Sequence, residues 1–191
     1  MFESLTSLSL TRRWRQQACP APAVVALICR ESVAGADAPR THYLLIKRQT
    51  EPYAGKWALV GGGWDFGETL DAAITREVRE ETGLETTFVA LRGMVNERVA
   101  PHGPDDNGGH FLLFVCEVSA PVGTAHEQSE GPVAWFSTQE LKELSATQGI
   151  IPSDYAMLER FDGAVRALPY IEAEMVTSND QNTLVRFEPG P

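Results

Sequence analysis

A run of three glycines, Gly61-Gly62-Gly63, followed by an unbroken series of helix formers from Leu70 to Thr82, limits the folds open to this chain more than any other feature. The glycines let backbone pass where a side chain would obstruct, and they are expected to break the regular structure ahead of the helix. Thr69 stands in the N-cap position and Gly83 at the C-terminal stop. At ~100° per residue, Glu77, Glu80 and Glu81 fall within an arc of roughly 100° on that helix. Like charges on one stripe destabilise an isolated helix by a few tenths of a kcal/mol per neighbouring pair. The glutamates adjoin the apolar positions Leu70, Ile74 and Val78, whereas Arg76 and Arg79 are expected on the far side. Carboxylates beside a buried stripe need a compensating cation, and clustered oxygens at this spacing suit a hard divalent ion. The residues alone leave two readings open, a cation site and a solvated acidic face.

Strands surround this segment. Ala23–Arg30 is an apolar, β-branched run expected to form one buried strand. Gly35–Arg40 reads as a turn, and Tyr43–Lys47 and Trp57–Val60 as further strands. Thr86–Asn96 and His110–Val118 come next as strands, separated by the loop Pro101–Gly109. Ala134-Trp135-Phe136 is a last short strand, and Ser137 with Glu140 forms a capping-box pattern for the helix behind it. A further helix is expected from near Ser153, with Tyr155, Leu158, Phe161, Val165 and Leu168 at helical spacing. Tyr170–Thr177 and Thr183–Phe187 flank Ser178–Asn182 like a hairpin. An isolated hairpin is only marginally stable, so this one is expected to extend the sheet or to pair across a homodimer. The mixed order of elements favours an α/β (α+β) sandwich with a mixed sheet over a doubly wound sheet. Residues 1–20 read as an N-terminal extension, 21–148 as the main domain, and 149–191 as a helix and hairpin packed on that same domain.

Composition narrows the function classes. Net charge is −10, so a long nucleic acid would meet a repulsive field. A small phosphate substrate escapes that objection where bound cations invert the local field. Cys19, Cys29 and Cys116 are too few and too scattered for a zinc cluster or a disulfide framework, and they read as reduced thiols. Thr11-Arg12-Arg13-Trp14 looks like the start of a twin-arginine signal, but Pro20 and Pro22 interrupt the stretch where its apolar run would lie, and Met1–Gln17 is brief for a transit peptide. No stretch approaches the length of a membrane helix, and a cytoplasmic location is expected.

The glycine-to-helix segment resembles a known pattern, the Nudix box: Gly-x5-Glu-x7-Arg-Glu-apolar-x-Glu-Glu-x-Gly-apolar. Gly62, Glu68, Arg76, Glu77, Val78, Glu80, Glu81, Gly83 and Leu84 fill it without a departure. With ordinary residue usage, its seven fixed identities would arise by chance about once in 10⁸ starting positions. The resemblance implies a Nudix hydrolase domain, an α/β/α sandwich carrying a C-terminal helix and hairpin extension. It implies that Glu77, Glu80 and Glu81 hold divalent cations, magnesium with manganese as a substitute, and that the backbone carbonyl of Gly61 adds a ligand. Glu68 and Arg76 resemble the pair that braces the loop against the helix. The implied reaction is attack of water on one phosphorus of a diphosphate, with Glu80, Glu127 or Glu130 receiving the proton. Of the last two, Glu130 is preferred to Glu127, because Glu130-Gly131 followed by Trp135 is closer to the family spacing.

Lys47-Arg48, Pro52 and Gly55 through Gly62 resemble the ADP-ribose pyrophosphatase-like subgroup, with Val60 in place of its common proline. Arg48, Trp57, Gly62 and His110 are the expected substrate contacts, and Trp64 and Phe66 are further candidates for stacking on a base. The expected partner is a small nucleotide-type substrate. ADP-ribose or a nucleotide sugar leads, followed by damaged nucleoside triphosphates, dinucleoside polyphosphates and, as a different class, a ligand-sensing module that does not cleave.

Overall fold

A computed structural model of the chain describes residues 19–32, 40–50, 53–100, 108–119, 121–128, 130–161, 166–178 and 181–190. The segment Met1–Gln17, most of the turn at 35–40, Pro52, most of the loop at 101–109, Val165 and the hairpin tip lie outside the described residues. The elements run β1 (Ala21–Leu27), β2 (Cys29–Ser32), β3 (Arg40–Lys47), β4 (Trp57–Gly63), α1 (Leu70–Thr82), β5 (Phe88–Val99), β6 (Gly109–Val118), β7 (Val133–Ser137), α2 (Thr138–Ala146), α3 (Pro152–Phe161), β8 (Ile171–Ser178) and β9 (Gln181–Pro189).

The seven-stranded sheet has the order β2-β3-β4-β1-β6-β5, with β7 on the other edge of β3. β1 runs parallel to β6 and antiparallel to β4, which makes the sheet mixed. Side chains alternate across it with the period of two that a strand imposes. Val24, Ala26, Ala58 and Val60 pack with Leu70, Ala73, Ile74 and Val78 of α1. Val25, Leu27, Leu59 and Val115 pack with Leu141 of α2 and with Met157 and Leu158 of α3 on the opposite face. The result is the expected three-layer α/β/α sandwich. Among the described residues, no helix is long and apolar enough to cross a membrane.

Four expectations change. The run Ala23–Arg30 is two strands, because the chain switches neighbours at Ile28, whose carbonyl accepts from Leu44 N–H at 3.0 Å. The three glycines do not break the sheet. They end β4 in register with β1, Gly61 opposite Val25 and Gly63 opposite Ala23. β1 approaches so closely that a Cβ at Gly61 would lie 2.1 Å from Val24 O. α3 spans Pro152–Phe161, and Leu168, expected on its stripe, is exposed and donates its N–H to Leu91 O at 2.8 Å. The hairpin β8–β9 forms its own two-stranded sheet rather than extending the large one.

The helix ends are mostly as expected. Gly83 closes α1 in the left-handed region (φ 71°), and Ser137 and Glu140 form the reciprocal capping box of α2. Thr69 offers α1 no side-chain cap.

β3 runs beside β4 only from Leu45 to Lys47, paired with Leu59 to Trp57. Where the two part, Asp154 of α3 takes Leu59 N–H at 2.7 Å. A buried carboxyl thus satisfies a backbone donor at the fork of the sheet.

Candidate active site

The glutamates of α1 meet the end of β4. Glu81, 5% exposed, accepts from Gly61 N–H at 2.9 Å. Glu77 lies against Gly62, where a Cβ would sit 2.5 Å from Glu77 Oε2. Bare backbone at Gly62 is therefore what lets the Glu77 carboxylate rest on the strand, whereas at Gly61 it makes room for β1.

Arg76 does not point away, as the helical wheel suggested. Its long stem carries the guanidinium back over the loop. Nε and Nη2 grip the two Glu68 oxygens at 2.7 and 2.9 Å, in the bidentate geometry that suits a guanidinium. Nη1 reaches Glu77 at 2.7 Å and Glu80 at 3.4 Å, and Nη2 donates to Gly63 O at 3.0 Å. Glu68 raises the Arg76 pKa further above its already high range, and Arg76 lowers that of Glu68. Glu68 Oε2 also accepts from Asp65 N–H, and Trp64 donates from Nε1 to Glu68 O. The loop from 63 to 68 is thereby tied to the helix at several points.

Glu130 arrives from the opposite side. Gly131 has φ 144°, and a Cβ there would lie 2.2 Å from Lys47 O, so the turn fits only a glycine pressed on the end of β3. Lys47 N–H donates to Pro132 O at 2.8 Å, and His126 N–H to Thr82 O at 3.1 Å. So pinned, Glu130 shares a hydrogen bond with Glu81 and adds its charge to both Glu81 and Glu77. Burial first, then Glu130 and Glu77, push the Glu81 carboxyl up to about 9, against the pull of Gly61 N–H. Glu77 is also raised, chiefly by burial and in spite of Arg76.

Two buried carboxylates, Glu77 and Glu81, with Glu80 and Glu130 exposed beside them and too little positive charge between them, fit a hard divalent cation, which would discharge their mutual repulsion. Glu77, Glu81 and the more exposed Glu80 supply oxygen donors only. Among the described residues no three acidic, His or Cys side chains are drawn together as a ready cage, and Glu77 is turned toward Arg76. Gly61 meets Glu81 through its N–H.

The structure thus brings together Glu68, Arg76, Glu77, Glu80, Glu81, Gly61, Gly62 and Glu130. It does not bring Trp57 to them: that ring, half-buried, packs against the core cluster of Leu141, Met157 and Leu158, edge-on to Phe136 with centroids 4.8 Å apart. Trp64 is likewise packed, edge-on to Phe114 at 5.0 Å, whereas Phe66 is fully exposed. Arg48 sits in the β3–β4 turn, its backbone bonded to Lys56 and Gly55, and its charge acts on Asp154. His110 bonds through Nε2 to Asn96 Oδ1 at 2.7 Å, on the β5–β6 ribbon. Sequence reasoning did not find Asp154 or the seat of Gly131. A lone acid between Ile151 and Met157, on an otherwise apolar stripe, was the available signal for the first.

Residues 20–161 match the family model described as NUDIX domain. The chain belongs to the NUDIX domain family. It is 34% identical over 118 residues to the ADP-ribose pyrophosphatase of Methanocaldococcus jannaschii, covering 59% of this chain and 64% of that one. It is thus aligned with just under two thirds of that relative's length. It is 40% identical over 113 residues to the Putative 8-oxo-dGTP diphosphatase 2 of Mycobacterium tuberculosis, covering 59% and 76%. A MutT NUDIX hydrolase from Burkholderia pseudomallei superimposes with TM-score 0.55 at 28% identity, over 74% of this chain and 98% of that one. Those two relatives are named as a pyrophosphatase and a putative diphosphatase. Within the Nudix fold, α1 with the preceding loop is the box read from the sequence.

Proposed function

We propose that the chain hydrolyses the diphosphate linkage of a nucleoside diphosphate joined to a second moiety, ADP-ribose or a nucleotide sugar first, with magnesium as the native cation and manganese as a substitute. The observation that carries this reading is the placement of Glu77 and Glu81 against a strand end stripped of side chains, with Glu130 bonded to Glu81 and Arg76 holding Glu77. Glu77, Glu80 and Glu81 would hold the cation together with the Gly61 carbonyl. When bound, the cation supplies charge to the phosphate oxygens and acidifies water. The protein's own groups do the rest. Arg76 and Glu68 fix the carboxylates, the glycines admit the diphosphate against backbone, and Glu130 receives the proton as water attacks one phosphorus and the anhydride P–O bond breaks. Gly62, Arg48 and His110 remain our proposed substrate contacts; Trp57, on the opposite face, is better assigned to the core.

A second reading is favoured by the 40% identity to a protein named as an 8-oxo-dGTP diphosphatase. In it the substrate is a damaged nucleoside triphosphate. Incubation with magnesium and ADP-ribose, a nucleotide sugar, a dinucleoside polyphosphate or oxidised dGTP, with products resolved by chromatography, separates the two. No cleavage of any, alongside thermal stabilisation by one, would instead favour a sensing module.

Glu130→Gln is expected to lower kcat roughly a hundredfold or more, the scale of a lost general base, while Glu127→Gln stays near the parent. Equal activity of the two variants would move the proton acceptor to Glu80. We also assign a homodimer to the hairpin, where Ile171, Val185 and Phe187 are exposed. Val185→Asp should then halve the sedimenting mass, and an unchanged mass would remove the assignment.

A further inference from the structure

The C-terminal hairpin reaches back to the helix that carries the glutamates. α1 has no side-chain cap of its own, and its first N–H, that of Leu70, donates instead to Tyr170 Oη at 3.2 Å, one hundred residues further along the chain. The hydroxyl is bonded in turn to Glu172. The tyrosine ring is seated on three sides. It meets Phe88 edge-on at 6.4 Å and packs against the core beneath α1. Gly190, at the end of β9, donates its N–H to Tyr170 O at 3.0 Å, and a Cβ there would lie 2.3 Å from the ring. Leu168 N–H holds the incoming chain to Leu91 O at 2.8 Å.

Leu70 stands two residues beyond Glu68, whose carboxylate grips Arg76, and Arg76 holds Glu77 and Glu80. Two residues of backbone, from Leu70 to Glu68, therefore join the hydrogen bond of the hairpin to those of the acidic cluster. Tyr170 lies outside residues 20–161, so the domain alone leaves this helix end uncapped by a side chain. An orphaned N–H at a helix start needs a partner, and a cap supplied from a distant segment also fixes where the helix begins. We propose that Tyr170 is a positioning residue for hydrolysis: by capping α1 it fixes Glu68, and through Arg76 the carboxylates. The inference rests on the reading of that cluster as the catalytic site.

In the full-length protein, Tyr170→Phe keeps the ring and removes the hydroxyl. The expected result is a fall in kcat of roughly three- to tenfold, the scale of one hydrogen bond, with KM little changed. The dissociation constant for manganese alone, read by calorimetry, should rise by a similar factor. Amide exchange in the metal-free protein should quicken in the first turn of α1 and not in α2. Gly190→Val, which displaces the ring from the other side, should reproduce all three changes, and Glu188→Gln, exposed on the same hairpin, none. A lowered thermal midpoint with unchanged kcat and manganese affinity would overturn the proposal and leave Tyr170 a structural residue. Glu77→Gln and Glu81→Gln run alongside: if they too retain turnover, the reading of the site itself has failed, whereas if they are inactive and Tyr170→Phe matches the parent, only this inference has.

Discussion

Glu81→Gln is expected to abolish magnesium-dependent turnover while leaving the fold intact. The glutamine carbonyl still accepts from Gly61 N–H, so the contact between α1 and β4 survives the change. With its carboxyl pushed up to about 9, Glu81 carries its proton at neutral pH when no metal is bound, so the amide replaces a neutral group of the same shape beside Glu77 and Glu130. The metal-free variant should therefore melt no lower than the parent. Its turnover should fall at least roughly a hundredfold, the scale on which one misplaced charge at a reacting phosphoryl group is felt. Magnesium is expected to raise the melting temperature of the parent and to leave that of the variant unchanged. Turnover near the parent rate would remove Glu81 from the cation site, and a collapsed fold would show its role to be structural.

The second large effect lies on the other side of the sheet. Burial pushes the Asp154 carboxyl up to about 7, with Glu97 adding to the rise and Leu59 N–H, Arg48 and Ser153 opposing it. The unfolded chain releases this proton near the ordinary aspartate value, whereas the folded chain keeps it until about pH 7. Between those values the folded state binds more protons, so its stability falls as pH rises and levels off above the folded value. The full loss is on the order of a few kcal/mol. Asp154→Asn keeps an acceptor for Leu59 N–H and has no proton to lose. Denaturant titrations between pH 5 and 8 should show the parent losing stability more steeply than the variant, which keeps only the slope due to the raised Glu81 and Glu77 carboxyls. Asp154→Ala, by contrast, orphans a buried donor and should cost about 1–3 kcal/mol at every pH. Parallel pH profiles for parent and Asp154→Asn would sink the account.

Legibility in the sequence tracked the range of the interactions. α1 was readable to the residue, since its helix formers, its left-handed Gly83 and its acid stripe are all local signals. The capping box of Ser137 and Glu140 was readable for the same reason. Glu68 and Arg76 were paired through the resemblance alone, and the helical wheel pointed Arg76 the wrong way because a wheel locates Cβ and not the end of a long stem. The passage of β4 through three glycines depends on how closely β1 approaches, which no local pattern encodes. The same holds for the split at Ile28, set by a bond from Leu44. Tyr170 was hidden most completely. Its hairpin was legible, but its partner at Leu70 is a backbone group in another element.

The parallel pairing of β1 with β6 bears on the order in which the chain assembles. Ala21 lies opposite Phe111, ninety residues later, whereas β5 and β6 are joined as one antiparallel ribbon. Closing so long a loop carries an entropy cost that short-range pairings avoid, so contacts of this kind tend to form late on the way to the native state. β1 is also the strand against which Gly61 and Gly62 are laid. Glu81, by contrast, reaches Gly61 N–H across only twenty residues, a short-range contact that does not wait for β1 to close on β6.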